Sequence, residues 1–356
     1  MNKTSLYEAH LKLNAKMAEF AGFEMPIQYA GVKSEVQAVR EACGVFDVSH
    51  MGEFFVTGAD AQKFVDYLIT NDFLNAQMNK AVYSPLCRED GTTIDDLIAY
   101  KLEENKVLIC VNAANIDKDW NWIESKKSNF NITLENKSEA YSLLAVQGPE
   151  TEKHMTSLGF KDLESFEYYS AKEFEIDGDK YILARTGYTG EDGFEIFASH
   201  DLIQKTWAKL MDQGATPCGL ASRDVLRLEV CYPLYGHELN DNLTPLDAAL
   251  KWTVKLNKNE FIGKGALADH TPTHRLAKLS IEKGIPREGY DILNDNNEVI
   301  GKVTSGTMSV VLGKGIALGL IKRDKFPENK VFKIQIRKNI VDATYHTKAF
   351  VNGGHK

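Results

Sequence analysis

The sequence predicts an α+β protein that ends in a small β-barrel, and three observations lead to this prediction. The chain has 356 residues, 43% of them hydrophobic and 26% charged, so two or three globular domains are expected. From residue 51 onward a strand, a helix, three strands and a second helix follow one another, which is typical of an α+β plait. After about residue 270, short alternating strands punctuated by glycine indicate a barrel.

The N-terminal elements follow from hydrophobic periodicity and from residues that begin or end helices. Residues 4–20 have apolar side chains at helical spacing, and 33–44 read as a second helix with Ser34 as cap and Gly44 as stop. The plait then consists of a strand, a helix, three strands and a helix, in the order GEFFVTG, ADAQKFVDYLIT, AVYSPLCRED, TTIDDLIAYKL, KVLICVN and NIDKDWNWIESKK.

The elements after residue 138 continue the same alternation. SEAYSLLAVQGPETEKHM gives a strand and then a helix opened by glycine and proline, and 172–199 is a run of strands with glycine turns. Residues 201–214 and 221–231 read as helices. We place the boundary before the barrel in ADHTPTHR, residues 268–275.

Charge and composition exclude several classes of function. The net charge is −8 and no long basic run is present, which argues against nucleic acid as a partner. No apolar run approaches the roughly 20 residues of a membrane helix. The charged N-terminus lacks the features of a signal or transit peptide, so we expect a cytoplasmic protein. Five dispersed cysteines without metal-finger spacing predict buried thiols and no metal.

The segment GTTIDDLIAY carries two adjacent carboxylates, Asp95 and Asp96, inside a predicted strand. Since side chains alternate along a strand, one of the two must point where apolar side chains point. A buried carboxylate costs free energy unless it is hydrogen-bonded, solvated or used. The pair therefore suggests either a carboxylate tied to a turn or a functional group.

The segment TGYTGEDGFEIF places three glycines around Tyr188 and puts Glu195 in the strand that follows. Glycines let the backbone turn freely or approach a ligand closely. A carboxylate here suits an amidine-like pair of N–H groups, as on a pterin or guanine ring. The alternative is a glycine-rich hairpin with a solvent-facing glutamate. The pattern of a phosphate loop or a dinucleotide fingerprint is absent.

The predicted helix ASRDVLRLEVC places Arg223 and Arg227 four residues apart on one face. Such a pair can hold a carboxylate-bearing ligand, whereas the alternative is a solvated helical face. Tyr235 and His237 follow in PLYGHEL, and we assign His237 no catalytic role. No Ser/His/Asp or Cys/His set is evident, so nucleophilic catalysis is unsupported.

Several of these segments, taken together, resemble the aminomethyltransferase of the glycine cleavage system, the T-protein family. They occur in family order and span nearly the whole chain. The matching segments are FDVSHMGE, GTTIDDLIAY, CVNAAN, AVQGPE, RTGYTGEDGFEIF, GLASRDVLRLEVCYPLYGHEL, WTVKLNKNEFIGKGAL and TSGTMSVVLGKGIALG.

The resemblance implies a three-domain cloverleaf, with two interleaved α/β-plait-type domains and a C-terminal β-barrel around a central folate channel. Residues 1–268 together form its folate-binding aminomethyltransferase region. The expected division is 1–50 with about 138–158 and 217–268, then about 51–137 with 159–216 as a ferredoxin-like α+β domain, then 275–356 as the barrel.

The resemblance also implies the reaction. A one-carbon unit moves from the aminomethyl-dihydrolipoyl arm of a carrier protein, the H-protein, to tetrahydrofolate as co-substrate, without a metal. The products are 5,10-methylenetetrahydrofolate, ammonia and the dihydrolipoyl protein. The alternatives are a stand-alone folate-dependent demethylase of the same fold and a non-catalytic folate-binding assembly protein.

The resemblance assigns roles to individual residues. Asp96 matches the aspartate near the reacting nitrogens of the folate, so we expect it to act electrostatically and in acid–base steps, with Asp95 structural. Glu195 matches the pterin-binding glutamate, and Arg223 the ligand-binding arginine. The remaining expected folate-binding residues are Tyr83, Asn112, Tyr188, Arg227 and Tyr235. The chain ends in KAFVNGGHK instead of the Pro-Phe-Tyr-like ending of many relatives.

Overall fold

The structure, a computed structural model, describes residues 1–354. The helices are α1 Tyr7–Lys12, α2 Val32–Glu41, α3 Ala61–Leu68, α4 Ile116–Ser125, α5 Thr151–Ser157, α6 His200–Asp212, α7 Leu220–Glu229 and α8 Lys264–Asp269. Strands β1 to β10 are Lys16–Phe20, Phe23–Gln28, Gly44–Asp47, Gly52–Thr57, Ala81–Cys87, Thr93–Glu103, Lys106–Val111, Thr133–Asn136, Tyr141–Gln147 and Ala171–Ile176. Strands β11 to β19 are Asp179–Ala184, Gly193–Ser199, Thr216–Pro217, His274–Ile281, Asp291–Leu293, Val299–Met308, Gly315–Lys322, Phe332–Ile336 and Asn339–His346.

Two sheets form the main body. One has six strands in the order β10-β11-β12-β9-β3-β13, and the other has five in the order β5-β6-β7-β4-β8. Aromatic residues of both sheets, such as Phe55 and Tyr100 on one side and Phe46 and Phe197 on the other, share one buried cluster. Since burial of such side chains is favourable, this cluster holds the sheets face to face.

Helices cover the outer faces of the two sheets. Phe64 and Leu68 of α3 and Ile123 of α4 pack on the five-stranded sheet, whereas Ile203 and Trp207 of α6 pack on the six-stranded one. The body is therefore layered helix, sheet, sheet, helix. The predicted plait, with helices on one face of an antiparallel sheet, is confirmed for residues 52–136.

The C-terminal strands form a closed barrel in the order β14-β17-β16-β15-β18-β19, as the sequence predicts. Its interior is filled by aliphatic side chains and Phe332. Buried polar groups attach it to the body: Glu229 accepts hydrogen bonds from Ser309, and Arg227 donates to Ser305. No helix among residues 1–354 is both long and apolar enough to cross a membrane.

The structure differs from the prediction near the N-terminus. The helix predicted over 4–20 ends at Lys12, and β1 pairs with β2 in a hairpin. Asn14, at φ 55°, breaks the helical path. Helix α2 begins at Val32, so Ser34 lies inside it and is not the cap. Glu35 instead accepts the backbone N–H groups of Tyr29 and Gly31 at this end.

The hydrogen bonds also bear on the expected domain division. Strands β10 to β12, within 159–216, belong to the sheet of β3 and β9, whereas the expectation grouped 159–216 with 51–137. The reason is that β12 pairs with β9 along its whole length, although β10 and β11 come between these two strands in the chain. Sheet membership alone does not test the expected domain boundaries, which stay a prediction.

Candidate active site

Asp96 lies in β6, between β5 and β7, at the end of the interface of the two sheets. Its carboxylate accepts a hydrogen bond from the Tyr83 hydroxyl at 2.9 Å and one from Asn112 Nδ2 at 3.0 Å. Tyr83 comes from β5, and Asn112 directly follows β7. Neighbouring strands therefore hold this partly buried carboxylate in one orientation.

The neighbouring Asp95 points to the opposite side of the strand and is fully buried. Its Oδ1 accepts from Asn112 Nδ2 at 2.8 Å and Asn115 Nδ2 at 2.7 Å, and its Oδ2 accepts from the Asn112 backbone N–H at 3.1 Å. Asp95 thus receives amide donors of backbone and side chain, and it orders the segment that carries Asn112.

The environment changes the acidity of Asp96. Burial, together with repulsion from the adjacent Asp95, raises the pKa of Asp96 to about 7, although the bonds from Tyr83 and Asn112 oppose the shift. A carboxyl group with such a pKa can bind or release a proton near neutral pH. The site therefore offers both a fixed negative charge and an acid–base group.

Glu195 lies in β12 and is 7% exposed. Its Oε2 accepts hydrogen bonds from the hydroxyl groups of Thr186 and Tyr100, the latter at 3.3 Å. The solvent-facing alternative is therefore wrong. The glycines before it make close contacts inside the protein: a Cβ at Gly187 or Gly193 would lie 2.0 or 2.4 Å from the Gln147 side chain.

Arg223 lies in α7 and brings a positively charged guanidinium group close to Tyr188. Its guanidinium group lies 4.8 Å from the centre of the Tyr188 ring. Burial lowers the pKa of Arg223, whereas Glu195 and Tyr188 act in the opposite direction. Its NH1 atom is buried without a hydrogen-bond partner among residues 1–354. A buried guanidinium nitrogen without an acceptor is costly, so it suits a ligand acceptor.

Arg227, expected beside Arg223 at the ligand, is engaged within the protein. A guanidinium group has five N–H donors. Nε and NH2 contact Asp224 at 2.8 and 2.7 Å, NH1 reaches Glu238 and the Tyr232 carbonyl at 3.1 Å each, and NH2 donates to Ser305 at 2.9 Å. These contacts use every donor, so the geometry assigns Arg227 a structural role.

Tyrosines connect the two carboxylates. Burial raises the pKa of Tyr169, and the charges of both Glu195 and Asp96 add to the shift. Burial likewise raises the pKa of Tyr188, which feels the charges of Asp96 and Arg223. Because electrostatic effects of this kind fall with distance, these residues form one cluster. Asp96, Glu195, Arg223 and the two tyrosines thus face the same region.

Tyr235 lies at the margin of this cluster. Its hydroxyl is bonded to Lys118 Nζ at 2.8 Å, and its ring packs with Tyr83 in an apolar cluster. Trp252, 57% exposed, stacks on Tyr83 with the ring centres 5.9 Å apart. Seven of the eight predicted residues therefore lie in or beside the cluster. Arg227 is the exception.

Sequence reasoning missed four residues: Asp119, Tyr169, Trp252 and Glu53. Asp119 had a usable signal, because it lies three residues after Ile116 and four before Ile123, on the apolar face of α4. Glu53 is 1% exposed, and neither of its oxygens has a partner among the described residues. Burial raises the pKa of Glu53 well above its usual range. Tyr169 and Trp252 had no signal of their own.

Residues 1–354 contain no group of three or more His, Cys, Asp or Glu side chains that could hold a metal ion. The described charged groups at the centre of the cluster are carboxylates and the Arg223 guanidinium group, and Lys118 lies at its margin beside Tyr235. This arrangement can bind a ligand that presents an amidine-like pair of N–H donors to Glu195 and a hydrogen-bond acceptor to Arg223. It can also stabilise a transient cation beside Asp96.

Two family models match the chain and define its class. The model described as GCVT N-terminal domain matches residues 6–258, and that described as Glycine cleavage T-protein C-terminal barrel domain matches residues 274–352. The first covers the two-sheet body and the second the barrel. The fold and the matches together define a T-protein-type transferase.

Individual relatives agree with this class. The aminomethyltransferase of Thermosipho melanesiensis is 46% identical over 361 residues, covering 100% of this chain and 99% of the relative. That of Thermotoga maritima is 43% identical over 360 residues, covering 99% and 98%. The crystal structure of glycine cleavage system aminomethyltransferase T from Bartonella henselae aligns with a TM-score of 0.93 at 30% identity, covering 99% of each chain. The chain belongs to the aminomethyltransferase family of the glycine cleavage system.

Proposed function

We propose that this transferase moves the one-carbon unit of an aminomethyl-dihydrolipoyl carrier, the H-protein, to tetrahydrofolate. The methylene carbon leaves sulfur and nitrogen and becomes bonded to N5 and N10 of the folate. The two protons that N5 and N10 give up go to the departing nitrogen, which leaves as ammonia, and to the sulfur, which becomes the dihydrolipoyl thiol. No electrons are gained or lost overall, so the reaction needs no oxidant.

The observation that carries the proposal is the placement of Asp96. Loss of ammonia or thiolate from an aminomethyl sulfide gives an iminium-like cation, and a fixed carboxylate away from bulk water stabilises such a charge strongly. The hydrogen bonds from Tyr83 and Asn112 fix the carboxylate before any substrate arrives. Its pKa of about 7 also allows it to take up a proton as the folate ring closes.

Glu195 and Arg223 support binding of the folate. Glu195 is buried and held by two hydroxyl groups, so it can accept the paired N–H groups of a pterin. The unpartnered Arg223 NH1 suits an acceptor on the same ligand. Tyr188, packed against the Arg223 guanidinium, provides an aromatic wall. Arg227 is left out of the folate site because its donors are occupied.

The test is reconstitution of the purified chain with tetrahydrofolate and aminomethyl-loaded H-protein, with ammonia and 5,10-methylenetetrahydrofolate as readouts. We expect both products from the native chain. Asp96→Asn should retain folate binding and lose ~10²-fold or more in kcat, as loss of a positioned acid–base group does. The matched control is Asp324→Asn, an exposed carboxylate of the barrel, which should leave kcat unchanged.

Absence of ammonia from a folded, folate-binding native chain would reject the transfer reaction. If Asp96→Asn turned over at the native rate, the assignment of Asp96 would be wrong even though the reaction stood. A demethylase would instead transfer a methyl group from a sulfonium or methoxy compound, so the same assay with such donors separates the two reactions.

A further inference from the structure

A second buried carboxyl group lies behind Asp95, on α4. Asp119 is 0% exposed, and neither of its oxygens receives an N–H or O–H group from residues 1–354. The charge of the Asp95 carboxyl group and a hydrogen bond between the two carboxyl groups both raise the pKa of Asp119. Two carboxyl groups can form a hydrogen bond only when one of them carries a proton, so this contact requires a neutral partner.

The surroundings determine which partner is neutral. Asp95 already accepts three N–H groups, from the Asn112 backbone and from the side chains of Asn112 and Asn115, and such bonds favour its charged form. Asp119 has no such donors. Burial, followed by repulsion from Asp95, raises the pKa of Asp119 to about 11, with Lys118 opposing the shift. Asp119 is therefore the proton donor and Asp95 the acceptor.

Asn112 links the pair of Asp95 and Asp119 to the Asp96 carboxylate. Asn112 Nδ2, which lies 2.8 Å from Asp95 Oδ1, also lies 3.0 Å from Asp96 Oδ1. Asp95 thus holds the amide that fixes Asp96, and Asp119 is the remaining support of Asp95 from the helix side. A displacement of about 1 Å at a reacting group can cost on the order of 10²-fold in rate.

We propose that Asp119 is a positioning residue for Asp96: it donates its carboxyl proton to Asp95, and Asp95 in turn holds Asn112 against the Asp96 carboxylate. The effect on turnover rests on the proposed function, whereas the protonated Asp119 does not. An aspartate is suited to this position because a short side chain on α4 can supply one donor at a place where a second charge would be repelled.

Several groups face Asp96 and bear on its charge, and they come from different elements. They are Asp95 of β6, Tyr83 of β5, Asp119 of α4, Tyr169 and Tyr188, while Lys118 of α4 acts on Asp119. Burial raises the pKa of Asp95, whereas its hydrogen bonds with Asp119, Asn112 and Asn115 act in the opposite direction. Repulsion by Asp95 raises the pKa of Asp96, so the acidity of Asp96 depends in part on the donor that Asp119 supplies to Asp95.

The first test reads protonation directly and needs no substrate. Carboxyl-carbon NMR of the chain labelled with ¹³C-aspartate should show a protonated carboxyl signal that persists at pH 8.5, far above the usual aspartate pKa of about 3.9. This signal should vanish in Asp119→Asn and persist in Asp324→Asn. A native chain without a protonated aspartate at that pH would overturn the proposal, whatever the outcome of the activity assay.

The second test asks whether a side chain that still donates a hydrogen bond at position 119 preserves turnover. Asp119→Asn keeps an N–H donor of similar shape, so kcat and its pH dependence should stay within about threefold of native, whereas Asp119→Ala should lose about tenfold or more. Loss of the donor raises the pKa of Asp95. The fraction of neutral Asp95 then increases and its repulsion of the Asp96 charge weakens, so the acidic limb of kcat moves to lower pH in Asp119→Ala.

The affinity for tetrahydrofolate should be unchanged in both variants, because Asp119 lies behind the strand and away from Glu195. An Asp119→Ala chain with native kcat and an unshifted pH profile would overturn the positioning role. If Asp119→Ala fails to fold, the comparison of Asp119→Asn with the native chain in the NMR test still decides the donor.

Discussion

Two carboxylates of the same strand, Asp95 and Asp96, occupy different surroundings and so acquire different tasks. Asp95 is surrounded by amide donors and holds the local structure, whereas Asp96 faces tyrosines and keeps a pKa near neutrality. Alternation along the strand predicts that the two differ. It does not predict which one is more buried, because that depends on α4 packing against one face of the sheet.

The acidity of Asp96 leads to a prediction on pH. In the proposed reaction the carboxylate form of Asp96 stabilises the transient cation, and the raised pKa of Asp96 means that this form is lost as the pH falls through about 7. We therefore expect kcat/KM to rise with pH through about 7 and then level off. Asp96→Asn should remove this rise, while Asp324→Asn retains it. The same rise in Asp96→Asn would contradict the assignment.

Glu195 leads to a prediction on affinity. In the proposed binding mode Glu195 accepts the paired N–H groups of the folate, so Glu195→Ala should raise the Kd for tetrahydrofolate by about tenfold or more. The kcat at saturating folate should fall much less. A titration by calorimetry measures this change, with Glu164→Ala, an exposed glutamate, as the control. An unchanged Kd would remove Glu195 from the site.

At the scale of the element, helix α7 divides its residues between two tasks. Arg223 points to the site with an unpartnered nitrogen, whereas Arg227, one turn later, is 1% exposed and joined to Glu238 and Ser305. Helical spacing predicts that both lie on one side of α7. The partners of Arg227 come from 238 and 305, distant in sequence, so the periodicity of the helix contains no sign of them.

This division can be tested with matched variants. Arg227→Met leaves Glu238 buried without its cation, so the free energy of unfolding should fall by about 3–5 kcal/mol. Arg223→Met should cost less than about 2 kcal/mol but weaken folate binding. Denaturant unfolding and folate titration measure both quantities. A stable Arg227→Met chain that fails to bind folate would restore Arg227 to the ligand site.

At the scale of the whole molecule, the chain builds two sheets and a barrel and then ties them with buried polar groups. Glu229, 0% exposed, accepts bonds from Arg40 of α2 at 2.7 Å and from Ser309, Val310 and Val311 beside the barrel at 2.7–3.2 Å. Charge-assisted bonds of this kind are stronger than neutral ones. One carboxylate therefore joins the helix that carries Arg223 to the C-terminal lobe.

Glu229→Gln places an amide among these donors, so we expect a loss of about 3 kcal/mol in unfolding free energy. The barrel should also become accessible to limited proteolysis before the body does. The control is Glu282→Gln, which breaks an exposed ion pair with Lys314 and should cost about 1 kcal/mol or less. Equal losses in the two variants would show that Glu229 does not tie the lobes together.

The sequence indicates the local elements and the barrel better than it indicates their grouping. Strands β4 to β7 and helices α3, α4, α6 and α7 follow from local patterns. The membership of β10 to β12 in the sheet of β3 and β9 does not follow from such patterns, because pairing of β12 with β9 depends on contacts across the chain. Likewise, Tyr169 joins Asp96 and Glu195 only through the folded arrangement, so no spacing along the chain could reveal it.

The exposed indole of Trp252 rests on the phenol of Tyr83, whose hydroxyl is bonded to Asp96. The molecule thus carries a natural fluorophore at the edge of the candidate site, with one residue between the indole ring and the Asp96 carboxylate. The fluorescence emission of Trp252 should change when a ligand binds beside Tyr83, so ligand binding can be followed in real time without attaching any dye.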